Sequence, residues 1–249
     1  MISICILTKN AAQTLAKTLD SVQTFPEILL LDNGSTDDTL AIAERYPNVR
    51  IETSPFIGFG PLRNCAAKLA KNNWILALDS DEIISPLLAQ ELSELQLNPN
   101  CVYEIPRRNF YNGKWIRGCG WHPDRVIRIY HKIHTNYGNA QVHESVDTSN
   151  MKIVRLKHPL FHTPYRSTSD FLSKMQHYTT LFAEQNKGKK NASFGKALFH
   201  ALFALFKSYL LRGGILDGKE GLIISIYNAN TAFYKYLKLS ETNKKNENK

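Results

Sequence analysis

The first hundred residues switch repeatedly between two hydrophobic patterns. Short apolar runs, such as Ile2-Ser-Ile-Cys-Ile-Leu-Thr8 and Ile28-Leu-Leu-Leu31, predict strands buried on both faces. Between them the apolar positions recur with the helical period. The pattern predicts strands at 2–8, 28–31, 49–52 and 74–78, with helices at 11–23, 36–45 and 61–71. Ser35 stands where an N-cap would open the second helix, and Pro61 falls near the first turn of the third. Such an order predicts an α/β fold on a mostly parallel, Rossmann-like sheet covered on both faces.

Beyond residue 100 the alternation breaks. Residues 102–106, 125–130, 142–146 and 153–156 predict a mixed extension of the sheet, with a Gly/Trp-rich loop at 112–121, and helices take over from Ser169. The resulting division is an α/β domain at 1–165, a helical region at 166–240 and a disordered basic tail at 241–249. The helix at 194–211 needs separate treatment. Its uncharged stretch, 197–206, is shorter than the roughly 20 apolar residues that span a bilayer. Lys196, His200 and Lys207 fall on one stripe, whereas Leu198, Phe199, Leu202, Phe203, Phe206 and Leu210 crowd elsewhere. That arrangement fits a core helix with a polar edge, and fits better an amphipathic helix lying in a membrane interface.

Composition sets outer limits. With 249 residues, 43% hydrophobic and 21% charged, the chain has the make-up of a globular protein. A net charge of +9 favours anionic partners: phosphorylated substrates, acidic membrane or nucleic acid. No helix-turn-helix, zinc-finger or RNA-recognition pattern accompanies the charge, so a nucleic-acid partner is not expected. The four cysteines show neither paired nor metal-ligand spacing, which points to a reduced, cytoplasmic chain. The first strand begins at once, without the segments of a signal peptide.

Candidate chemistry concentrates where Trp74-Ile-Leu-Ala-Leu78 runs into Asp79-Ser80-Asp81-Glu82. Open α/β sheets bind ligands just outside the carboxyl ends of their strands. Carboxylates this close repel unless solvated or neutralised by a cation, and hard oxygen ligands suit Mg²⁺ or Mn²⁺. The expectation is a metal site that receives a phosphorylated donor. Asp32 closes the second strand at the same edge; a dinucleotide dehydrogenase would need a Gly-x-Gly-x-x-Gly turn where Thr8-Lys-Asn10-Ala-Ala-Gln stands. Arg63, one turn into its helix, is placed to meet phosphate with a fork of hydrogen bonds. Glu144, beside His143, would serve as a base toward an attacking hydroxyl. His158 and His162 are each readable as a core histidine or as a further metal ligand.

Thr8-Lys-Asn10, Asp32-Asn-Gly-Ser-Thr-Asp37, Arg63-Asn64 and Asp79-Ser-Asp81, in this order, resemble the family 2 glycosyltransferases of GT-A fold. The resemblance implies inversion at the anomeric carbon and a UDP-sugar donor. It implies a nucleotide-sugar site of Thr8, Asn10, Asp32, Arg63, Asp79 and Ser80, with Asp32 at the uracil and Asp79 by the ribose and metal. Asp81 would hold Mg²⁺ or Mn²⁺ against the diphosphate, joined by His162. Trp121-His-Pro-Asp124-Arg-Val-Ile-Arg-Ile-Tyr130, Val142-His-Glu144, His162 and Leu216-Asp217-Gly218-Lys-Glu220-Gly221 are similar to a narrower group, the lipopolysaccharide core β-glucosyltransferases. That likeness implies transfer of a single hexose to an inner-core heptose at the cytoplasmic face of the inner membrane. Glu144 would be the base, with Asp124 as the substitute candidate, and Trp121, Asp124 and His143 would meet the acceptor. The Gln/Arg-x-x-Arg-Trp motif of processive synthases is absent. Rival readings are transfer to another lipid-linked or capsular glycan, and a non-catalytic nucleotide-sugar-binding protein.

Overall fold

The computed structural model describes residues 1–138 and 144–247, with side chains up to residue 244. The chain divides into two compact units: Met1–Arg108 with Asp124–His162, and Asn109–Pro123 with Thr163–Lys249. The boundary differs from the expected one because the Gly/Trp-rich loop folds with the C-terminal helices.

The first unit carries β1 (Ile2–Thr8), α1 (Leu15–Val22), β2 (Glu27–Asp32), α2 (Thr39–Ala43), β3 (Val49–Thr53), α3 (Phe59–Leu69) and β4 (Trp74–Asp79). It continues with β5 (Glu82–Ile84), α4 (Pro86–Glu94), most of β6 (Cys101–Tyr111), β8 (Arg125–His131), β9 (Lys152–Arg155) and β10 (Leu160–His162). The sheet order is β3-β2-β1-β4-β8-β6-β10-β5, with β9 also on β6. β1, β2, β3 and β4 run parallel, and β8 enters antiparallel between β4 and β6. β1 and β2 are buried at every position, so they read as continuous apolar runs. Their side chains alternate between two cores: Ile4, Ile6, Ile28 and Leu30 pack with Leu15 and Leu19 of α1, whereas Cys5, Leu7, Leu29 and Leu31 pack with Leu62 and Ala66 of α3.

Three details depart from the pattern-based expectation. The second helix starts at Thr39, not 36: the Ser35 Oγ accepts the Asn10 N–H in place of a helix amide, while its hydroxyl donates to Asp32. β5, β10 and α4 were not expected; α4 is opened by Ser85, whose hydroxyl accepts the Leu88 N–H, with Pro86 in its first turn. Of the strand expected at 142–146, residues 142–143 lie outside the described residues, and Val146 makes an isolated antiparallel bridge with Tyr137.

The second unit holds the end of β6, paired with β7 (Lys114–Trp115), and the helices α5 (Thr168–Asn186), α6 (Phe194–Phe206) and α7 (Gly218–Glu247). A π-turn (Lys207–Leu211) and a 3₁₀ turn (Gly214–Asp217) join the last two. Its core gathers Tyr111, Ile116, Cys119, Phe171 and Ile224, with Trp121, Tyr165 and Tyr227 against them. A reciprocal capping box of Ser167 and Asp170 starts α5. The tail expected to be disordered from 241 continues as helix through Glu247.

Candidate active site at the carboxyl end of the sheet

Parallel pairing aligns the ends of three strands: Thr8 stands opposite Asp32, and Leu7 opposite Asp79. Thr8 is buried, and its hydroxyl finds no hydrogen-bond partner among the described residues. A buried unsatisfied group at this edge is the kind that a ligand completes.

The first two loops are laced together. Asp32 Oδ2 accepts from the Gly34 and Ser35 N–H groups (2.8 and 2.9 Å), and Oδ1 accepts from the Ser35 hydroxyl (2.5 Å). Asn10, at φ +52°, donates its N–H to Ser35 Oγ (2.9 Å) and accepts the Thr36 N–H on Oδ1 (2.8 Å). Asp37 accepts the Ala12 N–H (3.1 Å), and the Thr39 hydroxyl and these amides hold its carboxyl below the usual range. Asp32 therefore organises the turn, its carboxylate already engaged by local donors.

The acidic turn after β4 differs most from expectation. Three arginines, not a cation alone, neutralise Asp79 and Glu82. Arg128 NH2 lies 2.5 Å from Asp79 Oδ2 and 2.6 Å from Glu82 Oε1. Arg107 NH1 is 3.0 Å from the same Glu82 oxygen, and Arg63 pairs with Asp79 Oδ1. Glu82 is wholly buried and also accepts the Asp79 N–H (3.1 Å). Burial alone would raise the Asp79 carboxyl, but Arg128 and then Arg63 hold it well below the carboxylate range. Burial opposes charge on Arg128 and Arg63 too, yet Asp79 keeps both above their ordinary value. Arg63 is not a solvent-facing fork: it is 2% exposed, and its NH1 donates to the Leu78 carbonyl (2.7 Å).

Asp81 stands apart from this network. The β5–β10 register sets His162 opposite Glu82, and His162 Nε2 comes within 3.6 Å of Asp81 Oδ2. A carboxylate and an imidazole side by side fit Mg²⁺ or, better, Mn²⁺. No group of three or more such ligands converges among the described residues, so the pair fits an ion whose remaining positions are filled by water and substrate phosphate. His158, the other candidate, instead pairs through Nδ1 with Glu91 (2.9 Å), which also accepts the Lys157 and His158 N–H groups. Ser80 anchors the turn by accepting the Thr18 hydroxyl on its carbonyl (3.0 Å).

Glu144 lines a cavity of about 420 Å³ with Asp79, Arg107, Arg125, Arg128 and Tyr137, its Oε1 3.9 Å from Arg63 Nε. Asn64 holds this segment in place through reciprocal bonds with the Tyr137 backbone, both 2.9 Å. Asp124 Oδ2 accepts from Arg107 Nε (2.8 Å), so that carboxylate is already paired. His143 lies outside the described residues. Trp121 belongs to the second unit, where its ring stacks on Tyr165 at 5.8 Å and 23°. Arg107 was not singled out from the sequence, and Asn64 and Arg128 stood inside the quoted motifs without a role of their own. A charge at Arg128 inside the apolar run Val126-Ile-Arg-Ile-Tyr130 was the available signal, because buried arginines are rarely unpaired.

Residues 3–158 match the sequence profile of glycosyl transferase family 2. An uncharacterized glycosyltransferase of Rickettsia conorii is 27% identical over 99% of this chain and 92% of its own. A lipopolysaccharide core biosynthesis glycosyltransferase, LpsC, of Rhizobium meliloti is 26% identical over 93% of this chain and 89% of its own. Among solved structures, the mannosyltransferase PcManGT of Pyrobaculum calidifontis, in complex with GDP-Man and Mn2+, shares the fold at a TM-score of 0.52. That alignment covers 99% of this chain and 87% of the other, at 15% identity. The fold is GT-A, and the profile takes in well over half of the sequence: the chain is a glycosyltransferase and belongs to glycosyl transferase family 2.

Proposed function

We propose that this enzyme transfers one hexose, glucose, from a UDP-sugar to an inner-core heptose of lipopolysaccharide, forming a β-glycosidic bond with inversion. One observation carries the reading. The carboxyl end of β4 divides its acids between two tasks, Asp79 and Glu82 locked to arginines and Asp81 left beside His162, while Glu144 lines the cavity that Asp79 shares. Thr8, Asn10, Asp32 and Ser80 border the nucleotide, and Arg63 acts by fixing Asp79 and facing Glu144. Asp81 and His162 would hold a divalent ion, which when bound offsets charge developing on the UDP leaving group. Glu144 takes the proton from the attacking acceptor hydroxyl, with Trp121, Asp124 and His143 toward the acceptor. The name of the Rhizobium relative, with near full-length coverage, supports the lipopolysaccharide core as acceptor. Transfer to another lipid-linked glycan is the second reading, and the net charge of +9 fits any phosphorylated acceptor.

UDP release with UDP-glucose, UDP-galactose and their N-acetyl forms, on truncated core acceptors, tests this reading. UDP-glucose with a heptose-terminated core is expected to react fastest. No acceptor-stimulated release from any of the four donors would overturn it. His162→Ala should raise the Mn²⁺ concentration needed for half-maximal rate by about tenfold, in line with loss of one tuned metal contact; an unshifted Mn²⁺ dependence would remove His162 from the site.

The enzyme works, on this reading, at the cytoplasmic membrane surface. Phe194–Leu211 is long and apolar enough by composition to cross a membrane, with mean hydropathy 1.2, but only 17% of it is buried. One side packs on α7, where His200 stacks on Tyr236 at 4.1 Å. Phe199, Leu202 and Leu211 remain at least 60% exposed. An apolar face flanked by Lys196 and Lys207 fits a helix lying in an anionic interface, each basic residue adding about 1 kcal/mol. Phe199→Asp/Leu202→Asp/Phe203→Asp should lower flotation with phosphatidylglycerol vesicles at least about tenfold, since each buried apolar side chain is worth 1.5–3 kcal/mol, without changing UDP binding. Undiminished flotation would contradict it.

A further inference from the structure

The Leu216-Asp217-Gly218-Lys219-Glu220-Gly221 stretch and the 115–120 loop have no part in the donor site. The second unit folds them against each other. Asp217 is buried, and its carboxylate accepts the N–H groups of Gly118 (2.6 Å) and Arg117 (3.3 Å). The Cys119 N–H donates to the Arg212 carbonyl (2.9 Å), and the Arg212 N–H to that of Lys207 (2.8 Å). The backbones nearly touch: a Cβ on Gly118 would lie 2.5 Å from the Gly213 carbonyl oxygen, and one on Gly221 would overlap that of Gly214. Contacts this close fix the two segments rigidly. Between them is a cavity of about 440 Å³ lined by Lys114, Trp115, Arg117, Arg212, Leu216 and Asp217.

Its charge is unbalanced. The single carboxylate, Asp217, is taken up by backbone amides, and none of the three cations is ion-paired with a carboxylate among the described residues. Lys114 Nζ donates to the Asp217 carbonyl (2.6 Å). The Arg117 guanidinium lies over the Trp115 ring, 4.4 Å from its centroid. The Arg212 guanidinium packs on Gly120, at φ +82°, where a Cβ would collide with it. Packing holds both guanidiniums at the cavity wall while their N–H groups remain available, which is the arrangement that binds phosphate oxygens bidentately. Ile215 and Leu216, in the same turn, are exposed apolar side chains, which suits an anion carried on a lipid.

We propose that this cavity binds a phosphate ester of the lipid-linked acceptor. The proposal rests on the acceptor reading above. Its test compares wild type with Arg117→Gln, Arg212→Gln and the double variant, on phosphorylated and phosphatase-treated acceptor, and by flotation with anionic vesicles lacking acceptor. Each substitution should raise KM for the phosphorylated acceptor about tenfold, the value of one charge-assisted hydrogen bond. KM for UDP-glucose and for the dephosphorylated acceptor should not move, and Arg117→Lys should recover part of the loss. Equal shifts for both acceptors, or none, would overturn the site. Loss confined to vesicle flotation would assign the cavity to lipid headgroups and overturn it equally. If wild type transfers to neither acceptor, the acceptor reading fails by itself; titration with inorganic phosphate then decides the anion site, which stands only if the double variant binds it at least fivefold more weakly.

Discussion

Glu144→Gln should slow transfer by about 10²–10⁴-fold, the usual worth of a positioned general base, with UDP-glucose binding unchanged. Gln keeps the shape and the hydrogen-bonding edge of Glu144 but cannot accept a proton. The residue shares its cavity with Asp79 and three arginines, and Arg63 Nε lies 3.9 Å from its Oε1. Asp124 is poorly suited to replace it because Arg107 already holds its carboxylate. Single-turnover measurement separates the step: the rate of sugar transfer should fall while donor KM stays within about twofold, as for a group whose contribution is made only in the transition state. Near-normal turnover in Glu144→Gln would move the base elsewhere.

Arg128→Met should destabilise the protein by about 3 kcal/mol in urea unfolding, near the lower end of the 3–5 kcal/mol for breaking a buried pair. Arg128 bridges Asp79 and the wholly buried Glu82, so its removal strands charge. The lower end applies because Arg63 still holds Asp79, Arg107 still holds Glu82, and Asp79 is partly wetted. Glu82→Gln in the same chain should restore part of the loss, a coupling that a double-mutant cycle reads directly. The pH dependence has a definite sign. The Asp79 carboxyl lies below its unfolded value near 3.9, so it contributes stability at neutral pH that is lost as pH falls below about 4. In Arg128→Met that carboxyl is depressed less, so the acid loss is shallower and the gap to wild type narrows. A gap to wild type that widens as pH falls through the acid range would contradict the network.

Much of this was legible in the sequence. β1 begins and ends where its apolar run does, and β4 stops at the acids that mark the site. Strands buried on both faces leave an unbroken apolar signature. β5 and β10, at three residues each, are too short for any period to register, yet their pairing is what brings His162 to Asp81. The arginines were hidden for a related reason: Arg107 and Arg128 reach Glu82 across strands whose register no local pattern encodes. The acids therefore looked unneutralised. Ser35 carried a cap-like signal, but its Oγ accepts the Asn10 N–H instead of a helix amide, and its proton goes to Asp32.

Calorimetric titration of UDP into wild type and Asp81→Ala, with Mn²⁺ and then with excess chelator, bears most directly on the site. Wild type should bind UDP with Mn²⁺ at least about tenfold more tightly than with chelator, a difference of 1.4 kcal/mol or more, and Asp81→Ala should erase that difference. Equal UDP affinity in wild type with and without the ion, or an undiminished Mn²⁺ effect in Asp81→Ala, would contradict the placement of the donor at the end of β4.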